Sequence, residues 1–127
     1  MLSRAAEIAL LALPELDPAG PTGKGVLIAT LAERTRVPRP FLAKVLQRLA
    51  DKGILRSKKG RMGGFLLGRP AWEITVADVV LALDGADSLD KAFPALAGPV
   101  GDVLHPVRTR FLTLLSESTL ADLYNRR

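Results

Sequence analysis

Residues 25–69 constrain the fold most, because two amphipathic helices separated by a short break lead directly into a hairpin. The first helix is predicted in VLIATLAER, where apolar residues recur at helical spacing on one face. Its inward positions are Leu27, Ile28, Leu31 and Ala32. A break follows at residues 35–38, and PRPFLAKVLQRLADKG predicts the second helix. Its inward stripe is Leu42, Val45, Leu46 and Leu49. The residues left facing outward are Arg39, Pro40, Ala43, Lys44, Gln47 and Arg48.

The hairpin is predicted from two short apolar runs, ILRS and FLLG, on either side of KKGRMGG. Gly53 suits the left-handed position that ends the preceding helix. A helix pair followed at once by a hairpin with a flexible, cationic tip is typical of a winged helix-turn-helix. The sequence therefore predicts a mainly α fold with a small β-hairpin wing.

The remaining chain predicts helices at both ends. Ser3 can cap a first helix that runs to Pro14, and residues 14–25 form a turn-rich connection. ITVADVVLAL begins with a Thr75 and Asp78 capping box, and Asp84 and Gly85 are predicted to end that helix. We expect an irregular segment or a short broken helix over residues 86–101. A helix of about residues 103–117 and a final capped helix complete the chain. The penultimate helix places these apolar residues on one face: Val107, Phe111, Leu114 and Leu115.

Composition excludes several classes of function. The 127 residues contain no cysteine, so a disulfide framework and any centre built on thiolates are excluded. A single histidine, His105, gives no set of metal ligands, and we expect no cofactor. The apolar run before Pro14 is too short to span a membrane and shows no signal-peptide pattern, so we expect a cytoplasmic protein without membrane contact.

Positive charge is concentrated in the predicted helix-turn-helix and wing. Residues 34–69 hold eleven basic side chains and one acid, whereas the rest of the chain is acidic overall. Such a segment attracts a polyanion, because each neutralised phosphate releases condensed counterions. A scattered, solvated basic surface is the alternative interpretation.

These features predict contacts to double-stranded DNA. The outward side chains of a helix in the major groove reach base edges, and a glycine-punctuated hairpin tip can approach the backbone or the minor groove. The first group of candidates is Arg39, Pro40, Ala43, Lys44 and Gln47, together with Arg48, whose alternative role is to solubilise the helix. The wing candidates are Lys58, Lys59 and Arg61.

Two other classes of function are weighed against this one. An enzyme is disfavoured, because the chain shows no nucleophile with a base at a recognisable spacing. A winged-helix module that binds a protein or RNA is the remaining alternative. RNA is disfavoured because its narrow major groove excludes a helix and because Phe41 and Phe65 are expected on apolar faces.

The string GILRSKKGRMGGFLLGRP followed by EITVADVV resembles the Rrf2 family of winged helix-turn-helix transcription regulators, and STLADL resembles the end of that family. The resemblance implies a homodimer, most simply a repressor on a palindromic operator. In it the penultimate helix would pack on its partner through Val107, Phe111, Leu114 and Leu115. Packing of this helix on its own domain is the alternative. The implied division is a DNA-binding domain at residues 1–85, an irregular segment at 86–104 and a dimerisation region at 105–127.

The sequence also departs from the family pattern. Members that sense iron–sulfur status or nitric oxide hold a cluster through cysteines in the segment equivalent to residues 86–104, and this chain has none. Ala43 stands where several members carry a base-reading glutamate, and Pro38 stands where a serine commonly caps the helix. Arg36 occupies a turn position often filled by glycine, and we expect it to contact phosphate. An effector, either a small molecule or a protein, and the operator sequence stay open.

Overall fold

The first helix begins where Ser3 caps it. The computed structural model describes the backbone of residues 2–60, 63–92 and 96–125, and the side chains of all of these except residues 86–92. In it, α1 spans Arg4–Ala12. The Ser3 hydroxyl accepts from the Ala6 backbone N–H at 3.1 Å, as predicted. Two 3₁₀ turns, Leu13–Glu15 and Gly20–Thr22, occupy the turn-rich connection.

The helix-turn-helix consists of α2 at Ile28–Thr35 and α3 at Arg39–Asp51. The prediction that Leu27 faces inward is wrong, since this residue precedes α2 as its N-cap and is 44% exposed. The wing follows directly, with β1 at Leu55–Lys58 and β2 at Gly64–Leu67. The strands pair antiparallel, with Leu55 opposite Leu67 and Lys58 opposite Gly64. The predicted winged helix-turn-helix fold is therefore confirmed.

The helix α4 spans Val76–Ala92 and changes direction at Gly85, which has φ 74°. The predicted Thr75 and Asp78 capping box is present, with both reciprocal hydrogen bonds at 2.9 Å. Of the two structures expected for residues 86–101, the described residues show the broken helix, since a second helical piece continues to Ala92. An irregular segment reaching residue 104 is wrong only from Gly98 onward, where α5 has already begun. Gly85 is non-helical, so the first piece of α4 ends there, as predicted. Pro99 suits the first turn of α5.

The helix α5 runs over Gly98–Glu117 with Pro106 in its interior, and α6 spans Leu120–Tyr124. The chain end is tied back to the body, because Leu120 is fully buried and its N–H donates to the Ile74 carbonyl at 2.9 Å. The Tyr124 hydroxyl lies 2.9 Å and 2.6 Å from the carbonyl oxygens of Leu13 and Leu16. Within the described ranges, no helix combines the length and apolar character that crossing a membrane requires.

Candidate nucleic-acid interface

The helix α3 separates an apolar face from a polar one, as its sequence predicts. The four stripe residues Leu42, Val45, Leu46 and Leu49 are all buried, at 5% exposure or less. On the opposite side Arg39, Pro40 and Lys44 are exposed, and Ala43 is half-buried. Burial of the stripe fixes the rotation of α3 about its axis, so the outward side chains are presented as a set.

The turn before α3 has an unusual backbone. Arg36 is the C-cap of α2 and adopts the left-handed conformation at φ 60°, where glycine is ordinarily favoured. Its N–H donates to the Ala32 carbonyl at 2.9 Å, and its side chain is exposed. Pro38 is the N-cap of α3 and supplies no side-chain acceptor to the first turn. The Thr35 hydroxyl ties the turn to α2, since it accepts from the Val37 N–H at 3.3 Å and donates to the Leu31 carbonyl at 2.7 Å.

Two of the predicted contact residues on α3 already have partners within the chain. The Gln47 side-chain amide donates to the Asp51 carboxylate at 3.0 Å, one helical turn away. The Arg48 guanidinium donates to the backbone carbonyl of Leu83, close to the kink of α4. Arg48 thus connects α3 to α4, a role that the sequence did not suggest.

The wing presents two exposed lysines. Lys58 ends β1 and Lys59 follows it, and both side chains are exposed. Arg61, the third predicted wing contact, lies outside the described residues. The base of the wing is fixed to the segment before α2, because Val26 and Phe65 exchange backbone hydrogen bonds at 3.0 Å and 2.8 Å.

Sequence reasoning missed Phe41. The prediction that this residue lies on an apolar face is wrong, because the side chain is 60% exposed. Phe41 and Arg48 are seven residues apart and therefore share one side of α3. That spacing could have placed Phe41 at the edge of the polar face, where an aromatic ring can contact a thymine methyl group.

A second feature is the apolar row along α5. Its members are Val100, Val103, Val107 and Leu114, so successive members are three, four and seven residues apart. Their exposed fractions, in the same order, are 56%, 67%, 49% and 48%. Phe111 and Leu115, also predicted to lie on this face, are half-buried and line a cleft of about 360 Å³ beside α6. Of the four predicted interface residues, the structure thus exposes two and partly covers two.

The loop before α2 contains a group with a clearly shifted pKa, the carboxyl of Asp17. The Asp17 carboxylate accepts hydrogen bonds from the backbone N–H groups of Lys24 at 3.0 Å and Ala19 at 2.9 Å. These two bonds, the one from Lys24 first, lower the pKa of Asp17 below its ordinary value of 3.8. The charged carboxylate thus holds the loop closed.

Known proteins resemble this chain over nearly its whole length. The sequence profile of the Rrf2 family, described as iron-dependent transcriptional regulators, matches residues 2–126. Rv1287 of Mycobacterium tuberculosis, named as an HTH-type transcriptional regulator, is 36% identical over 128 aligned residues, which cover 95% of this chain and 79% of the relative. The HTH-type transcriptional regulator IscR of Photorhabdus laumondii is 39% identical over 59 residues, which cover 46% of this chain and 36% of IscR.

Solved structures show the same fold. CymR of B. subtilis, the global cysteine regulator, superposes with a TM-score of 0.85 at 20% identity, covering 100% of this chain and 98% of CymR. IscR of T. potens superposes with a TM-score of 0.76 at 23% identity, covering 99% and 87%.

The iron dependence in the family description does not fit the donor set of this chain. Iron–sulfur clusters are held by cysteine thiolates, and the sequence has no cysteine. In the part of the chain that the structure describes, no three histidine, aspartate or glutamate side chains gather as a metal site either. The profile match and the relative from M. tuberculosis nevertheless cover nearly the whole chain. This chain therefore belongs to the Rrf2 family of winged-helix, DNA-binding transcriptional regulators and is not an enzyme.

Proposed function

We propose that the chain is a repressor that binds a palindromic operator as a homodimer and does so without an iron–sulfur cluster. The observation that carries the proposal is the arrangement of α3, whose apolar stripe is buried while Arg39 and Lys44 are exposed. A helix held in this way can enter the major groove with its basic side outward. The exposed wing lysines Lys58 and Lys59 supply contacts to the backbone.

The candidate residues are assigned two kinds of contact. Base edges are assigned to Arg39, Pro40, Ala43, Lys44 and Gln47, and phosphates to Arg36, Lys58, Lys59 and Arg61. Gln47 must release Asp51 to read a base, because its amide is bonded within the helix. Arg48 is proposed to position α3 through Leu83 instead of contacting DNA.

The apolar row on α5 supports the homodimer. The row extends over 15 of the 20 residues of the helix, and its spacing suits packing against a second helix. Burying half of a valine or leucine side chain contributes about 1 kcal/mol, so eight such side chains across a two-fold interface contribute about 8 kcal/mol before association costs. A symmetric dimer presents two α3 helices to half-sites about 34 Å apart. Residues 1–85 then read DNA, and α5 holds the dimer together, with Val100 and Val103 extending the predicted dimerisation region 105–127 toward the start of the helix.

The test of DNA binding is a titration of genomic duplex fragments at several salt concentrations. Lys59→Ala removes one proposed phosphate contact per protomer, so the slope of log K against log salt becomes less negative by about 1.8 for the dimer. Arg39→Ala instead changes which fragments are preferred. Lys52→Ala, at the far end of α3, is the matched control and leaves both quantities unchanged. Binding without sequence preference, or tighter binding to single-stranded RNA through Phe41, would overturn the proposal.

The test of the dimer is Val103→Asp, at the most exposed position of the apolar row. We expect sedimentation velocity to give a species of twice the chain mass for the wild type and a monomer for the variant. Thr109→Asp, an exposed position on the same helix outside the row, is the control and stays dimeric. A wild-type monomer at micromolar concentration would refute the dimer and leave the assignment of α3 to be tested separately.

A further inference from the structure

A cleft of about 410 Å³ opens between the loop before α2, α2 itself and the base of the wing. Three cationic residues line it, and each comes from a different element: Lys24 from the loop, Arg34 from α2 and Lys58 from β1. The lining contains no acidic residue. Three cations that converge from separate elements form a local positive field that a solvated helix face does not produce.

Three glycines, Gly23, Gly25 and Gly63, contribute to the wall of the cleft. Gly63 lies in the wall, and a Cβ on it would lie 2.0 Å from the Lys58 carbonyl oxygen, so no side chain can occupy that position. Val26, also in the wall, is fixed by its two hydrogen bonds to Phe65. A wall of glycine and fixed backbone lets a ligand approach closely.

The loop that carries Lys24 is fixed by Asp17. The carboxylate accepts from the Lys24 backbone N–H at 3.0 Å, which leaves the Lys24 side chain exposed. Gly23 permits this closure, because a Cβ there would lie 2.4 Å from the Asp17 Cγ. The position of Lys24 beside the wing is therefore built into the backbone of the loop.

The three cations differ in how far they are neutralised. Arg34 lies 3.7 Å from the Glu15 carboxylate and is partly compensated. Among the described side chains, no carboxylate forms an ion pair with Lys24 or Lys58. The Asp17 carboxylate still acts on Lys24 electrostatically, so Lys58 is the less compensated of these two cations. Two ammonium groups beside a glycine-rich wall suit a singly charged phosphodiester with two accepting oxygens.

We propose that this cleft binds a DNA backbone phosphate outside the base pairs read by α3, with Lys24 and Lys58 as its ligands. The inference rests on the proposed function and extends it, since neither Lys24 nor the loop before α2 belongs to the helix-turn-helix or the wing. It places a phosphate contact between α2 and the wing of each protomer.

The test compares Lys24→Ala with Lys52→Ala and Lys24→Arg in the salt titration of the full-length protein. Lys24→Ala keeps the backbone N–H that Asp17 binds, so its thermal unfolding should match the wild type. The loss of one phosphate per protomer makes the slope less negative by about 1.8, and the affinity ratio to wild type changes about 12-fold between 50 and 200 mM salt. Lys24→Arg and Lys52→Ala should keep the wild-type slope.

The outcomes separate the cleft from the proposed function. If Lys24→Ala keeps the wild-type slope while Lys59→Ala makes the slope less negative, the proposed phosphate site in the cleft is refuted and the proposed binding of DNA stands. If neither variant changes the slope, both ideas fail. A titration with inorganic phosphate, followed through the amide resonances of Gly25 and Gly63, distinguishes a free anion as the ligand. Saturable millimolar binding of phosphate together with an unchanged DNA slope would also overturn the proposal.

Discussion

Gly64 fixes the wing against the segment before α2, and replacing it with alanine tests that arrangement. Gly64 has φ 104°, and a Cβ there would lie 2.2 Å from the Val26 carbonyl oxygen and 2.7 Å from the Leu27 nitrogen. Both are backbone atoms, and Val26 is held by its hydrogen bonds to Phe65. Neither partner can rotate away, so alanine must displace the Val26 segment or distort β2.

Gly60 provides a matched control for the same substitution. Its φ is 99°, close to that of Gly64, but a Cβ there meets no atom of the described residues within 4 Å. Gly60→Ala therefore carries only the backbone strain of about 1–3 kcal/mol. Gly64→Ala carries the same strain and a steric cost of about 1–3 kcal/mol in addition. The difference between the two variants isolates the contact with Val26.

The magnitudes convert to melting temperatures. For 127 residues, an unfolding entropy of about 2.1 cal/mol/K per residue gives about 0.27 kcal/mol/K. Gly60→Ala should then lower Tm by about 4–11 °C and Gly64→Ala by about 7–22 °C. Circular dichroism melts at one fixed protein concentration measure both. If Gly60→Ala loses as much as Gly64→Ala, or if Gly64→Ala melts with the wild type, the proposed contact between wing and loop is refuted.

Two further predictions concern side chains that hold the reading head. Arg48→Ala should lower Tm by about 4 °C, as for a loss of about 1 kcal/mol, because the bond to the Leu83 carbonyl is only part-buried. It should weaken DNA binding without changing the salt slope, and a slope less negative by about 1.8 would show instead that Arg48 contacts phosphate. Asp17→Asn should destabilise the loop at neutral pH, where the wild-type carboxylate is charged. Because the pKa of Asp17 in the folded protein is lowered, its stabilising effect is complete above its ordinary value of 3.8 and is lost as pH falls through the folded value. The Tm difference between wild type and Asp17→Asn should therefore shrink below about pH 4, and a difference that stays constant to pH 2 would contradict this reasoning.

The sequence predicts those features that repeat at a fixed spacing. Leu42, Val45, Leu46 and Leu49 follow the helical period, and all four are buried. The Thr119 and Asp122 capping box also needs only local spacing, and both of its hydrogen bonds form in the structure. Such features depend on neighbours within one or two turns of the chain, so tertiary contacts do not alter them.

Features that depend on distant backbone could not be predicted in this way. Gly85 can end a helix or kink it, and its neighbour Asp84 is held by Ser3, 81 residues away in sequence. The partner of Arg48 is a main-chain carbonyl, a group that every residue of the chain carries. No side-chain pattern identifies the carbonyl that will be reached. For residues 86–101 the sequence left an irregular segment and a broken helix open for the same reason, since glycine and proline there can mark either a loop or, as in the structure, a kink at Gly85 and a helix start at Gly98.

The structure also changes the meaning of the charge in residues 34–69. Of its eleven basic residues, Arg34 and Arg69 lie near carboxylates, at 3.7 Å and 3.4 Å, and Arg48 donates to a carbonyl. These three side chains make contacts within the fold, so substituting them would lower stability before it weakened DNA binding. The cations that DNA would meet are then those of the turn, the exposed side of α3 and the wing, with Lys24 added from outside the segment. Only cations that neutralise a phosphate release counterions, so the salt slopes of the variants report how many cations contact DNA. This number is smaller than the net charge of the segment suggests.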